Sequence, residues 1–110
     1  MTDRTFGAEV VGTPDETRLH MRGDLDSRAD ETLGVAYREV AASGSPQMTL
    51  DFGDVGYINS TGIALVVRLL ADARRDGRGV RAVGLTPHYK EIFRITRLSD
   101  FMDIVEGDAA

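Results

Sequence analysis

Residues 57–70, YINSTGIALVVRLL, place a polar triplet and a glycine between two apolar segments. Beyond Gly62 the apolar residues recur with the spacing of one helix face, which comprises Ile63, Val66, Val67 and Leu70. A helix with such a face must pack against another layer of structure. The stretch therefore predicts a buried helix that begins directly after Asn59-Ser60-Thr61.

Strands are predicted from apolar alternation and from turn residues. The strand patterns lie at residues 6–11, 18–22, 48–52 and 80–85, and the apolar residues 55–58 lead to the triplet. A turn with Pro14 and Asp15 joins the first two into a hairpin, and a second turn is predicted at Gly53-Asp54.

Two more helices are predicted from caps and periodicity. One follows N-cap candidates in residues 24–27, ends within residues 43–46, and buries Leu33, Ala36, Tyr37 and Val40. The other has Thr86 as N-cap and Pro87 at its first position, and carries Tyr89, Ile92, Phe93 and Thr96 inward. A closing apolar segment contains Leu98, Phe101, Met102 and Ile104.

The resulting order β-β-α-β-α-β-α, with a short terminal element, predicts an α/β fold. Strands separated by helices become parallel neighbours through right-handed crossovers, and the hairpin adds an antiparallel edge. Loops at the carboxyl ends of such strands gather on one functional face. Three loops meet that description, at residues 23–28, 56–62 and 85–87.

The bulk composition limits the possible functions. The 110 residues predict one domain, 1–110. The net charge of −5 argues against nucleic acid as a partner, because that binding depends on basic residues. There are no cysteines, and His20 and His88 lack metal-ligand spacing, so we expect neither a metal nor a cofactor. Since no secretory signal or long apolar run is present, we expect a cytoplasmic protein without a membrane partner.

The triplet itself admits several interpretations. Asn59 or Ser60 could simply cap the helix, or the serine could be held in the open for modification. A hydrolase that uses Ser60 is disfavoured, since the G-x-S-x-G pattern and a nearby histidine are missing. Asp24 and Asp26 could bind a metal, although helix capping is the favoured role for these loop carboxylates.

Three stretches together resemble the STAS domains of bacterial anti-sigma factor antagonists. TLDFGDVGYINSTGIALVVRLLADAR is similar to that family's strand, Asp-Ser-Ser/Thr-Gly turn and apolar helix. HMRGDLDSRADETL resembles its Gly-Glu-Leu-Asp loop with the helix that follows, and EIFRITRLSDFMDIV resembles its C-terminal helix. The resemblance implies a STAS-like fold, with helices packed on a mixed sheet of four to five strands.

The same resemblance implies a protein-binding module and not an enzyme. In the family, the unphosphorylated form binds an anti-sigma factor that is also a serine kinase; phosphorylation breaks the complex and a serine phosphatase restores it. The modified position corresponds to Ser60, with Thr61 as the alternative, and Asp26 matches a loop aspartate near that serine. The partner-binding residues implied are Asp24, Asp26, Ser27, Arg28, Tyr57, Asn59, Ser60, Thr61 and Gly62.

One position departs from the family pattern. Asn59 stands where the family usually has an aspartate before the serine. Asparagine keeps the capping geometry and removes a negative charge. An alternative function is therefore a STAS interaction module that does not switch, in another bacterial signalling assembly such as polysaccharide or secretion control.

Overall fold

A five-stranded sheet with helices packed against it forms the framework of the computed structural model, which describes residues 4–13 and 15–105. The strands are β1 (Gly7–Gly12), β2 (Glu16–Leu25), β3 (Gln47–Ile58), β4 (Gly79–Val83) and β5 (Asp103–Ile104). The α-helices are α1 (Asp30–Ser43), α2 (Ser60–Arg75) and α3 (Pro87–Ile95). Short 3-10 helices cover Ser27–Ala29 and Leu98–Asp100.

The strands lie in the sheet in chain order, from β1 to β5. β1 pairs antiparallel with β2, and every later neighbour is parallel. The predicted element order and antiparallel hairpin edge are thus confirmed, with β5 as the terminal element. The Thr13 N–H donates to the Glu16 carbonyl in the hairpin turn, while the predicted turn residue Pro14 lies outside the described residues.

Alternate residues of the strands form the core. Leu19, Leu50 and Ala82 of the three central strands are fully buried, and Phe93 of α3 packs edge-on against Phe52 of β3. The neighbouring positions on β2 and β3 carry polar side chains, so that one face of the sheet packs against the helices and the other is polar.

The end of α1 and the start of α3 follow the predicted caps, but the start of α1 does not. The N-cap of α1 is Ala29, which makes no side-chain cap hydrogen bond, and the candidate Asp26 caps the preceding 3-10 helix. The four residues predicted to face inward from α1 are all buried, and Gly44 ends this helix with a positive φ of 72°. In α3 the Thr86 hydroxyl accepts a hydrogen bond from the Tyr89 N–H at 3.2 Å, with Pro87 in the first turn. Local sequence therefore decides where α1 ends and where α3 begins.

The predicted turn at Gly53-Asp54 is wrong. β3 continues to Ile58, because β2 also runs on to Leu25 and accompanies it through two register shifts. The Asp51 carboxylate accepts the Gly53 N–H at 2.9 Å within this irregular stretch. A glycine and an aspartate here mark a bulged strand and not its end.

The predicted face of α2 is only partly right. Val66 and Leu70 are buried as predicted, but Val67 is 46% exposed and Ile63 is half-buried. Leu65 and Leu69, which were not predicted, are buried instead. The helix is rotated relative to the predicted orientation because Gly62, in its first turn, lies directly against β2. The residues on the same side of the helix as Gly62 therefore face the core.

Two predictions near the C-terminus also need correction. Thr96 is exposed and caps α3, with its hydroxyl donating to the Ile92 carbonyl at 2.7 Å. In the closing segment Leu98 and Met102 are buried, whereas Phe101 is 51% exposed and lies under the Arg74 guanidinium. The cation covers one ring face, which lets this aromatic side chain remain at the surface.

Candidate functional site

Two of the predicted loops meet at the carboxyl ends of β2 and β3. Leu25 lies opposite Ile58 in the parallel register, and Asp24 lies opposite Tyr57. The loop at residues 85–87 follows β4, whose last pairing joins Val83 to Asp51, well before the end of β3. Its contribution to the site comes instead through α3, where the Tyr89 hydroxyl accepts the Ile58 N–H at 2.9 Å.

Asn59 and Ser60 of the triplet have different structural roles. Asn59 is the N-cap of α2: its side-chain oxygen accepts the Gly62 N–H at 2.8 Å, and its carbonyl accepts the Ile63 N–H at 2.9 Å. Ser60 is the first helical residue and is exposed, as is Thr61. Because Asn59 supplies the cap, the Ser60 hydroxyl has no hydrogen bond to any other described residue.

Gly62 brings the start of α2 into direct contact with β2. A methyl group at this position would lie 2.0 Å from the Leu25 carbonyl oxygen and 3.1 Å from Cγ2 of Ile58. The Asn59 N–H donates to the same Leu25 carbonyl at 3.3 Å. Only a residue without a side chain permits this close approach, which places Ser60 beside the loop after β2.

In that loop, Asp26 caps the 3-10 helix and pairs with Arg28. One carboxylate oxygen accepts the Arg28 N–H at 3.0 Å, and the guanidinium donates to both oxygens, at 3.2 and 2.9 Å. Hydrogen bonds from the Arg28 side chain, and then from its backbone, hold the pKa of Asp26 below its ordinary value, against a smaller opposing effect of burial. The carboxylate therefore stays ionised with its charge balanced locally.

Asp24 has a different role from the other predicted residues. Its carboxylate forms an ion pair with Arg4 at 3.3 Å, and the side chain is only 13% exposed. The Asp24 N–H also donates to the Arg4 carbonyl at 2.9 Å. Asp24 lines an open cleft of about 660 Å³ together with Arg22 and Asp54. It thus holds the segment before β1 in place, while Ser27, Arg28 and Tyr57 remain exposed.

The carboxylates of Asp24, near the end of β2, and Asp26, in the loop that follows, act in ion pairing and capping. The capping role predicted for Asp26 is confirmed, and Asp24 is engaged by Arg4. Across residues 4–13 and 15–105, no three potential histidine or carboxylate ligands come together as a metal site would require. No helix in the same part of the chain combines the length and apolar content needed to cross a membrane.

Three contributions to the site were missed by sequence reasoning. The Leu25 carbonyl, the Arg4 guanidinium and the Tyr89 hydroxyl all hold the two loops, yet Tyr89 was assigned only a packing role. Helical periodicity does place Tyr89 inward, but nothing in the pattern indicates which backbone group its hydroxyl meets.

Comparisons with known proteins agree with this architecture. A family model described as "Mlab, STAS domain" matches residues 8–106. An anti-sigma-B factor antagonist of Staphylococcus epidermidis is 24% identical over 99 residues, which cover 90% of this chain and 92% of that protein.

Solved structures share the fold at low sequence identity. An anti-sigma factor antagonist from Mycobacterium paratuberculosis superposes with a TM-score of 0.75 at 18% identity, over 96% of this chain and 90% of that one. The Bacillus cell fate determinant SpoIIAA in its phosphorylated form gives a TM-score of 0.68 at 17% identity, over 92% and 91% of the two chains. The predicted STAS-like fold is confirmed, and the chain belongs to the STAS domain family.

Proposed function

We propose that this protein is an anti-sigma factor antagonist that binds an anti-sigma factor with serine kinase activity. It binds through the Ser60 face, which we define as Asp26, Ser27, Arg28, Tyr57 and residues 59–62. Phosphorylation of Ser60 by that partner ends the interaction, and a serine phosphatase restores it. The observation that carries the proposal is the exposed Ser60 hydroxyl, left available because Asn59 caps α2.

Similar proteins support this assignment. The Staphylococcus epidermidis relative is named an anti-sigma-B factor antagonist, and SpoIIAA has been solved in a phosphorylated form. The Ser60 face also offers an anchor for a protein partner, since Tyr57 is 47% exposed beside the triplet. Exposed aromatic side chains are frequent among the residues that dominate binding energy.

The charge of a phosphoryl group explains how binding can be switched. Phosphorylation adds about −1.5 to −2 charge, which the N-terminus of α2 tolerates within the domain. A partner docked on the Ser60 face would have to desolvate this charge. A loss of only about 1.4 kcal/mol lowers affinity tenfold, so a modest penalty is enough.

Asn59 sets the electrostatics of the modified state. Its neutral amide gives the same cap that an aspartate would give, without a second negative charge beside the phosphoryl group. We therefore expect little internal repulsion after modification. The partner kinase must recognise Ser60 without a preceding carboxylate.

The test is to incubate the protein with candidate anti-sigma factor kinases and ATP, map the modified residue by mass spectrometry, and measure affinity by calorimetry. We expect modification at Ser60, normal binding by Ser60→Ala, and at least about tenfold weaker binding by Ser60→Asp. Thr61→Ala is the matched control and should still be modified. Modification of Thr61 alone would move the acceptor by one residue, and unchanged binding by Ser60→Asp would favour the module that does not switch.

A further inference from the structure

β3 extends well beyond its neighbour on one side. Its pairing with β4 ends at Asp51 and Val83, whereas β2 accompanies β3 on the other side as far as Ile58. Within residues 4–13 and 15–105, no strand pairs with the last residues of β3 on the β4 side. Backbone N–H groups in such a segment need another acceptor, because a buried and unpaired amide is costly.

Tyr89 supplies that acceptor at the end of the strand. Its phenolic oxygen accepts the Ile58 N–H at 2.9 Å, and Ile58 is itself buried. The Tyr89 backbone is fixed by the Thr86 cap, and its ring packs against the core and against the ring of His88, with centroids 5.0 Å apart. The cap and the ring packing thus fix the position of the Tyr89 hydroxyl in the first turn of α3.

The bend before Ser60 is consequently held from both sides. The Asn59 N–H donates to the Leu25 carbonyl of β2, and the preceding Ile58 N–H donates to Tyr89 of α3. We infer that Tyr89 is a positioning residue for Ser60. The Tyr89 hydroxyl oxygen fixes the end of β3, and Ser60, the phosphate acceptor, projects from the bend that follows. This inference rests on the proposed function, because it gives Tyr89 a part in how Ser60 is presented to the kinase.

Two tyrosine substitutions test the inference as a matched pair. Tyr89→Phe removes only the oxygen that holds Ile58. Tyr37→Phe removes an equally engaged hydroxyl, which donates to Asp76 at 2.7 Å and accepts from Arg78 at 2.7 Å. Asp76 is the C-cap of α2, so this control lies at the opposite end of that helix, about 24 Å from Ser60.

Amide hydrogen exchange, followed by NMR, reports on the bend without any partner. We expect Tyr89→Phe to speed exchange of the amides at Ile58 and Gly62 about tenfold, as the loss of one hydrogen bond to a buried amide should. Tyr37→Phe should leave those two amides at wild-type rates, apart from any uniform change that global destabilisation gives every slow amide. Equal exchange at the bend in both variants would overturn the inference.

The rate of Ser60 phosphorylation then links the bend to the reaction. It should fall about tenfold in Tyr89→Phe and stay unchanged in Tyr37→Phe, since misplaced reacting groups lower rates steeply. Faster exchange with an unchanged phosphorylation rate would refute the positioning role. A wild-type protein that no kinase modifies would refute the proposed function alone, and the exchange rates would still decide whether Tyr89 holds the bend.

Discussion

Gly62→Ala is the smallest substitution that disturbs the contact between α2 and β2. The added methyl group would lie 2.0 Å from the Leu25 carbonyl oxygen and 2.8 Å from its carbon. Both atoms belong to the backbone of a paired strand, so neither can move aside as a flexible side chain would. Real Cβ atoms almost never approach closer than 3.0 Å, and the start of α2 would therefore have to retreat by about 1 Å.

The expected cost follows from two opposing effects. Overpacking in a closed contact costs about 1–3 kcal/mol, while alanine in a helix gains at most about 1 kcal/mol over glycine. The clash is with backbone atoms, and the 2.0 Å separation is far shorter than real Cβ contacts. We therefore expect the cost of overpacking to exceed the gain in helix propensity. The free energy of unfolding should fall by about 1–2 kcal/mol, and partner binding should weaken as the Ser60 face is displaced.

Gly34→Ala is the matched control in α1. Among the described residues, and apart from the backbone of α1 itself, the nearest atom to its added methyl group would belong to the Arg38 guanidinium at 3.7 Å. The same change should therefore raise the free energy of unfolding by about 0.5–1 kcal/mol. Urea denaturation followed by circular dichroism measures both values. If Gly62→Ala is as stable as Gly34→Ala, the close contact does not determine how α2 is seated.

Two further predictions concern the cap and the polar sheet face. Asn59→Ala should lower the free energy of unfolding by about 1 kcal/mol, while Asn59→Asp keeps the cap and should match the wild type in the same urea assay. Burial alone would raise the pKa of Asp51, but the Gly53 N–H, His20 and Arg18 together hold it below the ordinary value. Its stabilising contribution is therefore present above the pKa of the unfolded carboxyl and is lost as pH falls through the lower folded one. The stability lost in Asp51→Asn should be larger at about pH 6 than at about pH 3, and an equal loss would contradict this assignment.

The fold could be predicted because its signals are local. The start of α3 depends on its N-cap Thr86 and the end of α1 depends on the positive φ of its C-cap Gly44, and adjacent residues decide both. Strand length and helix rotation are different, since they depend on neighbours far away in sequence. β3 passes through Gly53 because β2 continues beside it, and α2 is rotated because Gly62 meets Leu25.

In the candidate site, too, local features could be predicted and contacts between distant segments could not. The triplet and the Asp26 loop were located from sequence, and Asn59 and Asp26 do cap the elements that follow them. The ion pair of Asp24 with Arg4 and the bond from Ile58 to Tyr89 were not foreseen. The ion pair depends on the antiparallel register of β1 and β2, and the bond from Ile58 depends on the unequal lengths of β3 and β4. Periodicity in the sequence reports neither of these.

Stability and binding should respond differently to charge at Ser60. The bonds that hold the bend join Asn59 to Gly62, Ile63 and Leu25, and Ile58 to Tyr89. The Ser60 hydroxyl takes part in none of them. A negative group in the first turn of α2 should instead gain about 0.3–1 kcal/mol from the helix dipole. Ser60→Asp should therefore unfold at the same or slightly higher urea concentration than the wild type while it loses its partner. A Ser60→Asp variant that lost stability together with binding would show that this side chain supports the fold, and a switch that acts at the interface alone would no longer explain the loss.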